Sequence, residues 1–170
     1  MKLTTRTEYA LVALLELAHQ PQGHYASAES IAHPRRIPLR FLEQIFLALR
    51  RAGLVHSQKG QRGGYRLARD AEKISLAEVI RVLNGALAPT DCVSRYFYHS
   101  TPIEREPALV QVFREIRDHI ARALEGTSLA DVRDRAARTP DQDAAASGGG
   151  ETGTNPRERD EAFTRSPVPE

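Results

Sequence analysis

The chain has few of the features that mark secreted, membrane-spanning or catalytic proteins. Only one of its 170 residues is a cysteine, Cys92, so no disulfide can form within the chain, and this usage suits a reducing cytoplasm. No apolar run approaches the roughly 20 residues that cross a bilayer. The apolar stretch near the N-terminus is interrupted by Glu16 and precedes no small-residue cleavage site. We therefore expect a cytoplasmic protein with no signal peptide and no membrane partner.

Catalytic signatures are also missing. The sequence contains no nucleophile elbow and no His-Glu-x-x-His zinc motif. The glycine-rich stretch at 58–64 lacks the spacing of a phosphate-binding loop, and a strand pattern follows it where such a loop would open a helix. These absences predict that the protein is not an enzyme.

Basic charge is concentrated in the N-terminal part of the chain. Residues 1–70 carry 11 lysines and arginines against 5 acidic residues, residues 71–138 carry 10 of each, and residues 139–170 carry 3 against 7. A polyanion such as double-stranded DNA would therefore bind the N-terminal part. Residues 139–170 are rich in Gly, Pro, Ser and Asp and have almost no large apolar side chains, so we expect a disordered acidic tail there.

Three helices are predicted in the N-terminal part. The first covers Thr5–His19, and the second follows the hydroxyl cap Ser27 and covers Ala28–Ala32. After a tight basic turn the third covers 38–52, with a proline in its first turn and Gly53 as a left-handed cap. A short helix, a turn and a second helix form a helix-turn-helix, whose second helix enters the major groove of DNA.

The third helix has an apolar face and a mixed face. The side chains that recur at helical spacing and should face the core are Leu39, Leu42, Ile45, Phe46 and Leu49. The other face carries side chains able to reach base edges, namely Arg40, Phe41, Glu43 and Gln44. A solvated helix face is the ordinary alternative, but it would expose Phe41 and Leu47 without a partner. We therefore interpret this face as the recognition surface.

Two short strand patterns follow, at 54–57 and 65–68, around a glycine-rich basic loop. The arrangement predicts a wing. Its glycines let the backbone approach a phosphate or a narrow groove, and Lys59 and Arg62 supply positive charge. The predicted fold is mainly α with a small β wing, in which residues 1–85 form a winged helix-turn-helix DNA-binding domain.

The winged domain is completed by a helix at 76–83, capped by Ser75, which should pack back on the first three helices. A connector at 86–100 follows. The Thr-x-x-Glu pattern that begins at Thr101 predicts a capping box, and Pro107 predicts an initial turn followed by a second helical start.

The segment 101–135 is predicted to contain a long helix with an apolar stripe and a short terminal helix. The stripe consists of Leu109, Val112, Phe113, Ile116, Ile120 and Leu124. Because the winged domain already has its own core, we interpret the stripe as the contact with a second copy of the chain. A homodimer would place two recognition helices about one DNA turn apart, on a palindromic operator.

Four sequence blocks resemble the Rrf-two family of bacterial transcription regulators. They are MKLTTRTEYAL at the start, IPLRFLEQIFLALRRAGLV through the third helix, GQRGGYRLA in the wing, and ISLAEVIRVLNG after it. The blocks occur in the family order within residues 1–132. The resemblance implies a homodimeric, sequence-specific DNA-binding regulator, which we interpret as a repressor.

The resemblance also implies a set of DNA contacts. The matching positions are Arg40, Phe41, Glu43 and Gln44 for bases, Lys59, Gly60 and Gln61 for the minor groove, and Lys2 and Thr4 for phosphates. Arg62 adds charge to the same wing loop. Because a lysine occupies a wing position where the best-known family member has an arginine, we expect a weaker or different reading of the minor groove.

Cofactor expectations differ from those for the cluster-binding members of the family. Those members carry three cysteines between the winged domain and the long helix, whereas this chain carries only Cys92, so the thiolates of one subunit cannot ligate a complete iron–sulfur cluster. We expect no cofactor. Two alternatives stay open, namely a cluster held by Cys92 with Glu8 and His33 across the dimer, and a redox-reactive Cys92 thiol.

A protein-interaction module is the other open interpretation. A winged helix can bind another protein, and the aromatic residues Tyr96, Phe97 and Tyr98 of the connector would then form the contact surface. Steep salt dependence of binding to duplex DNA distinguishes the two functions, because counterion release accompanies contacts to phosphates.

Overall fold

A computed structural model describes residues 2–138 of the chain. The elements are α1 (Thr5–His19), α2 (Ala28–Ala32), α3 (Leu39–Arg51), β1 (Val55–Gln58), β2 (Gly64–Leu67), α4 (Leu76–Asn84), α5 (Pro107–Glu125) and α6 (Leu129–Arg138). This confirms a mainly helical fold with a two-stranded antiparallel wing. None of the described helices is both long and apolar enough to cross a membrane. The predicted acidic tail, 139–170, lies outside the described residues.

Local capping signals set the helix boundaries. The hydroxyl groups of Thr4, Ser27 and Ser75 each accept a hydrogen bond from the backbone N–H three residues later, at the starts of α1, α2 and α4. α3 begins directly after Pro38, and Gly53 beyond its end has a φ of +70°, which glycine tolerates. The predicted boundaries of these four helices are confirmed to within one residue.

The main hydrophobic core lies between α1, α3, α4 and the wing. The buried face of α3 consists of Leu42, Ile45, Phe46 and Leu49, all of them fully buried. Leu39, which the pattern also assigns to the core, is only partly buried at its edge. Burying each such side chain contributes about 1.5–3 kcal/mol. The opposite face of α3 is thereby fixed outward.

The terminal helix α6 packs against α1, a contact that the sequence pattern does not predict. Leu129 at its start is fully buried in the main core, and its N–H donates to the carbonyl of Ile74 at 2.9 Å. The Arg133 guanidinium donates to the carbonyl of Ala18, near the end of α1, at 3.3 Å. α6 therefore contributes to the same core as the helix-turn-helix.

The connector between α4 and α5 forms a small apolar cluster of its own, which we call the connector cluster. It consists of the buried residues Ala88, Cys92 and Val93. Ile103 and Phe113 pack against it. The Cys92 thiol is therefore part of an apolar packing site.

The capping box predicted at Thr101 is wrong. Its hydroxyl forms no cap bond, and its oxygen is buried without a hydrogen-bond partner among the described residues. Glu104 instead accepts hydrogen bonds from the hydroxyls of Ser100 and Tyr98, and these bonds lower the pKa of the Glu104 carboxyl. One 3-10 turn precedes α5, which begins at Pro107, so the predicted second helical start is confirmed.

α5 divides the predicted apolar stripe between two faces. Phe113 packs on the connector cluster, and Leu124 packs on a second small cluster around α4. Leu109, Val112 and Ile116 instead project into solvent, with 47%, 50% and 41% of their surface exposed. The helix therefore uses one apolar face within its own chain and leaves another uncovered.

Candidate nucleic-acid interface

α3 presents a polar face that no other part of the described chain covers. Arg40, Glu43 and Gln44 are exposed, and their side chains form no hydrogen bond or ion pair within residues 2–138. Arginine supplies donors, glutamate acceptors and glutamine both. One turn of helix thus offers every type of hydrogen-bonding group needed to read base edges.

Phe41 lies on the same turn and is held by α1. Its ring meets the ring of Tyr9 edge to face, with centroids 5.9 Å apart and an interplanar angle of 79°. Its surface is 37% exposed. One edge of the ring therefore has an aromatic partner, while the rest is available for an apolar contact such as a thymine methyl group.

The turn between α2 and α3 is held by contacts of its own. Ile37 is buried, and its N–H donates to the carbonyl of Ala32 at 3.0 Å. Arg35 forms an ion pair with Glu16 of α1 at 2.9 Å, and Arg36 adopts a left-handed φ of +52°. These contacts fix the position of α3 relative to α2, which determines how a helix-turn-helix enters the major groove.

The wing loop is compact and basic. β1 and β2 pair in antiparallel register, with Gln58 opposite Gly64 at the loop end. The N–H of Gly63 donates to the carbonyl of Gly60 at 2.9 Å, and a Cβ at Gly63 would lie 2.3 Å from the Gln58 carbonyl oxygen. The loop side chains that are exposed and form no hydrogen bond or ion pair with other described residues are Lys59, Gln61 and Arg62.

A second set of contacts fastens the wing to the helix-turn-helix. Ala26, just before α2, exchanges two backbone hydrogen bonds with Tyr65 of β2, at 2.9 and 2.8 Å. The Tyr65 ring stacks on Phe46 of α3 with centroids 4.1 Å apart. Gly64 permits this approach, because a Cβ there would lie 2.2 Å from the Ala26 carbonyl oxygen. The wing and the recognition helix therefore pack as one unit.

Two further arginines lie beside the wing, and the sequence pattern does not single them out. Arg50, in the last turn of α3, donates to the hydroxyl of Ser57 on β1 at 3.1 Å. The Arg66 guanidinium lies 5.3 Å from the centre of the Tyr25 ring, a cation–π contact. Both belong to the basic N-terminal part, but only these distances identify them as part of the wing support.

Lys2 and Thr4, for which phosphate contacts are expected, flank the start of α1. The Lys2 side chain is exposed. The Thr4 hydroxyl is already engaged, since it accepts from the Thr7 N–H at 3.3 Å and lies 3.0 Å from the Thr7 hydroxyl. A helix N-terminus favours anions, so a phosphate is compatible with this end of α1. Of the two side chains, Lys2 is the one that is free to reach it.

The candidate iron ligands do not come together within one chain. Glu8 lies in the first turn of α1, His33 at the end of α2, and Cys92 in the connector cluster with 6% of its surface exposed. Among the described residues, no three His, Cys, Asp or Glu side chains are grouped closely enough to hold a metal ion. Iron–sulfur clusters are held by several thiolates or by thiolates with histidine. The donors of a single chain therefore do not fit a cluster.

Known proteins share this architecture. A family model described as Rrf2, iron-dependent transcriptional regulator, matches residues 3–135. The HTH-type transcriptional regulator CymR of Bacillus subtilis is 33% identical, over 78% of this chain and 89% of its own length. The solved structure of CymR, the global cysteine regulator of B. subtilis, matches with a TM-score of 0.65 and 32% identity, covering 79% of this chain and 98% of that one. IscR of T. potens matches with a TM-score of 0.64 and 28% identity, covering 86% and 96%.

These similarities span the helix-turn-helix, the wing and α5, so they include both the recognition face and the uncovered apolar face. The matching proteins are transcription regulators and not enzymes. The protein is accordingly a DNA-binding regulator with a winged-helix fold. The chain belongs to the Rrf2 family of transcription regulators.

Proposed function

We propose that the protein is a homodimeric repressor that binds a palindromic operator through α3 and the wing. The observation that carries this proposal is the uncovered polar turn of α3, packed in one unit with a basic wing loop. Repression needs no surface beyond the DNA contacts, because a dimer bound within a promoter blocks access of the polymerase. Transcription in vitro from a promoter that contains the operator tests the sign, since added protein should lower the transcript yield.

In this proposal α3 lies in the major groove and reads bases directly. Arg40 donates to guanine, Gln44 bonds adenine through its amide, and Glu43 accepts from cytosine. Phe41 contacts a thymine methyl group. The absence of competing partners for the three polar side chains within residues 2–138 supports this role, because no internal hydrogen bond must be broken on binding.

The wing loop lies against the backbone and the minor groove of the flanking DNA. Lys59 and Arg62 neutralise phosphates or enter the narrow groove, and Gln61 adds a donor and an acceptor. Gly60 carries no side chain and has a φ of +105°, so the loop backbone can approach the DNA closely.

The homodimer forms through the uncovered face of α5. Leu109, Val112 and Ile116 expose apolar surface along a 19-residue helix, which is about 28 Å long. The half-buried Ile120 continues this face towards Leu124. Two such helices packed together would remove the apolar surface of both chains from water.

Replacing Gln44 with alanine should lower the discrimination between operator and random duplex by about tenfold, because one bidentate base contact is lost. Binding of the variant to both duplexes by fluorescence anisotropy measures this ratio. Gln111→Ala makes the same chemical change on α5 and should leave the ratio unchanged. Equal losses on the two duplexes for Gln44→Ala would show that this side chain does not read bases.

Replacing Lys59 with alanine should weaken operator binding and reduce the slope of log affinity against log salt by about 0.9, which corresponds to one phosphate contact. Titrations at several salt concentrations measure the slope. Lys73→Ala provides the matched control, because that lysine is exposed but paired with Asp70 outside the wing. An unchanged slope for Lys59→Ala would remove this side chain from the DNA contact.

A protein-interaction role remains the second candidate function, since the connector exposes an aromatic surface. Tyr96, Phe97 and Tyr98 are 74%, 47% and 57% exposed, which is unusual for three adjacent aromatic residues. The two functions separate on salt dependence. Binding to duplex DNA that falls steeply with salt supports the regulator, whereas the absence of such binding, together with a partner lost on Phe97→Ala, supports the interaction module.

A further inference from the structure

Asn84, the last residue of α4, ties the N-terminal segment of the chain in place. Its Oδ1 accepts a hydrogen bond from the Thr4 N–H at 2.9 Å and another from the Thr7 hydroxyl at 3.4 Å. Its Nδ2 donates to the carbonyl oxygen of Lys2 at 3.1 Å. One side chain thus contacts three residues that are about 80 positions away along the chain.

Two of these partners are backbone groups that lie outside the hydrogen-bond ladder of α1. Asn84 therefore constrains the course of the main chain, whichever side chains the segment carries. Leu3, between the two bonded residues, packs on the apolar cluster of Ala77, Ile80 and Leu87. Since successive side chains of an extended segment point to opposite sides, this inward packing of Leu3 directs Lys2 towards solvent.

The start of α1 lies on the side of the molecule that carries the recognition helix. Tyr9, in the second turn of α1, contacts Phe41 near the start of α3. Lys2 precedes the first turn of α1 and is exposed, and it forms no ion pair with any other described residue. Its ammonium group is therefore placed to meet a phosphate that flanks the bases under α3.

We propose that Asn84 is a positioning residue for DNA binding, which fixes the backbone of residues 2–4 so that Lys2 contacts a phosphate. The inference rests on the proposed DNA-binding function and adds a residue that does not itself touch DNA. Without the Asn84 bonds, the segment would be ordered only when DNA binds, and the cost of that ordering would reduce the affinity.

The test is a double-mutant cycle between Asn84→Ala and Lys2→Ala in the full chain. Binding to operator and to random duplex is measured between about 50 and 200 mM salt. Each single variant should lose about five- to tenfold in affinity on both duplexes and about 0.9 in salt slope, because one phosphate contact disappears. The double variant should lose no more than either single variant, since Asn84 acts through Lys2.

Thr7→Val is the matched control, because it removes only the hydroxyl bond to Asn84 and keeps both backbone bonds. Its salt slope should equal that of the unmodified protein. Additive losses in the double variant, or an unchanged slope for Asn84→Ala, would overturn the proposal. A protein that binds no duplex in a salt-dependent way would instead refute the proposed function itself.

If Asn84→Ala does not fold, Asn84→Asp keeps the acceptor oxygen and loses the donor to Lys2. Its added negative charge also weakens DNA binding, so it is compared in two backgrounds. Positioning through Lys2 predicts a smaller loss in the Lys2→Ala background than in the unmodified one. Equal losses in both backgrounds would mean that only charge repulsion acts, and this result would contradict the proposal.

Discussion

Replacing Ile116 with glutamate should leave the protein monomeric and lower its affinity for a palindromic operator by about 100-fold or more. Ile116 lies in the middle of the uncovered apolar face of α5, between Val112 and Ile120. A carboxylate there would be buried without a partner in a helix pair, which is strongly unfavourable. Sedimentation measures the mass, and anisotropy titrations with one and two half-sites measure the affinity.

Gln111→Glu is the control for this change, because it introduces a carboxylate at an exposed position on the opposite side of the same helix. It should remain dimeric and bind the operator with a loss of only a few-fold. Binding to a single half-site should be similar for Ile116→Glu and the unmodified protein, since α3 and the wing are untouched. A dimeric Ile116→Glu variant would show that the subunits meet elsewhere.

Replacing Gly64 with alanine should separate the wing from the helix-turn-helix. The added Cβ would lie 2.2 Å from the Ala26 carbonyl oxygen, at a φ of +145° that a non-glycine residue rarely adopts. We expect a loss of about 2–4 kcal/mol in the free energy of unfolding, from backbone strain and from the two hydrogen bonds between Ala26 and Tyr65. Urea unfolding measures the stability, and operator binding under folding conditions should fall as well.

Gly60→Ala separates strain from steric clash. Gly60 also has a positive φ, of +105°, but no atom lies within 4 Å of the Cβ that alanine would add. Its cost should therefore be about 1–2 kcal/mol, smaller than that of Gly64→Ala. Equal stabilities for the two variants would indicate that the contact between Gly64 and Ala26 does not stabilise the protein.

The parts of the fold that sequence reasoning predicts are those governed by local signals. Ser27 and Ser75 are hydroxyl residues at helix starts, and Gly53 is a glycine just beyond a helix end, so each boundary follows from a few neighbouring residues. The glycine-rich loop between two strand patterns likewise predicts the wing. At Thr101 the same type of signal fails, because Ser100 and Tyr98 take the Glu104 carboxylate that a capping box would use.

Contacts between distant segments are not predictable in this way. The return of α6 to α1 depends on Leu129 finding a place in a core built by residues far earlier in the chain. The division of the α5 stripe into inner and outer faces depends on where the connector cluster lies. Nothing near Asn84 in the sequence indicates that its amide reaches Lys2 and Thr4.

The candidate site is predicted unevenly for the same reason. The exposed side of α3 follows from helical periodicity, so Arg40 and Gln44 can be assigned to it from the sequence. The support that holds this side in place, such as the stacking of Phe46 on Tyr65, becomes apparent only in three dimensions. The burial of Cys92 is equally invisible in its local sequence.

The bridge between Ala26 and Tyr65 has a consequence for how a signal could alter gene expression. Because it joins the wing to the segment before α2, the parts that read one half-site cannot shift against each other without breaking backbone hydrogen bonds. A stimulus would therefore change the distance or angle between the two subunits and leave the preferred bases of each unaltered. Operators that differ only in the number of base pairs between their half-sites would then report the regulatory state of the dimer.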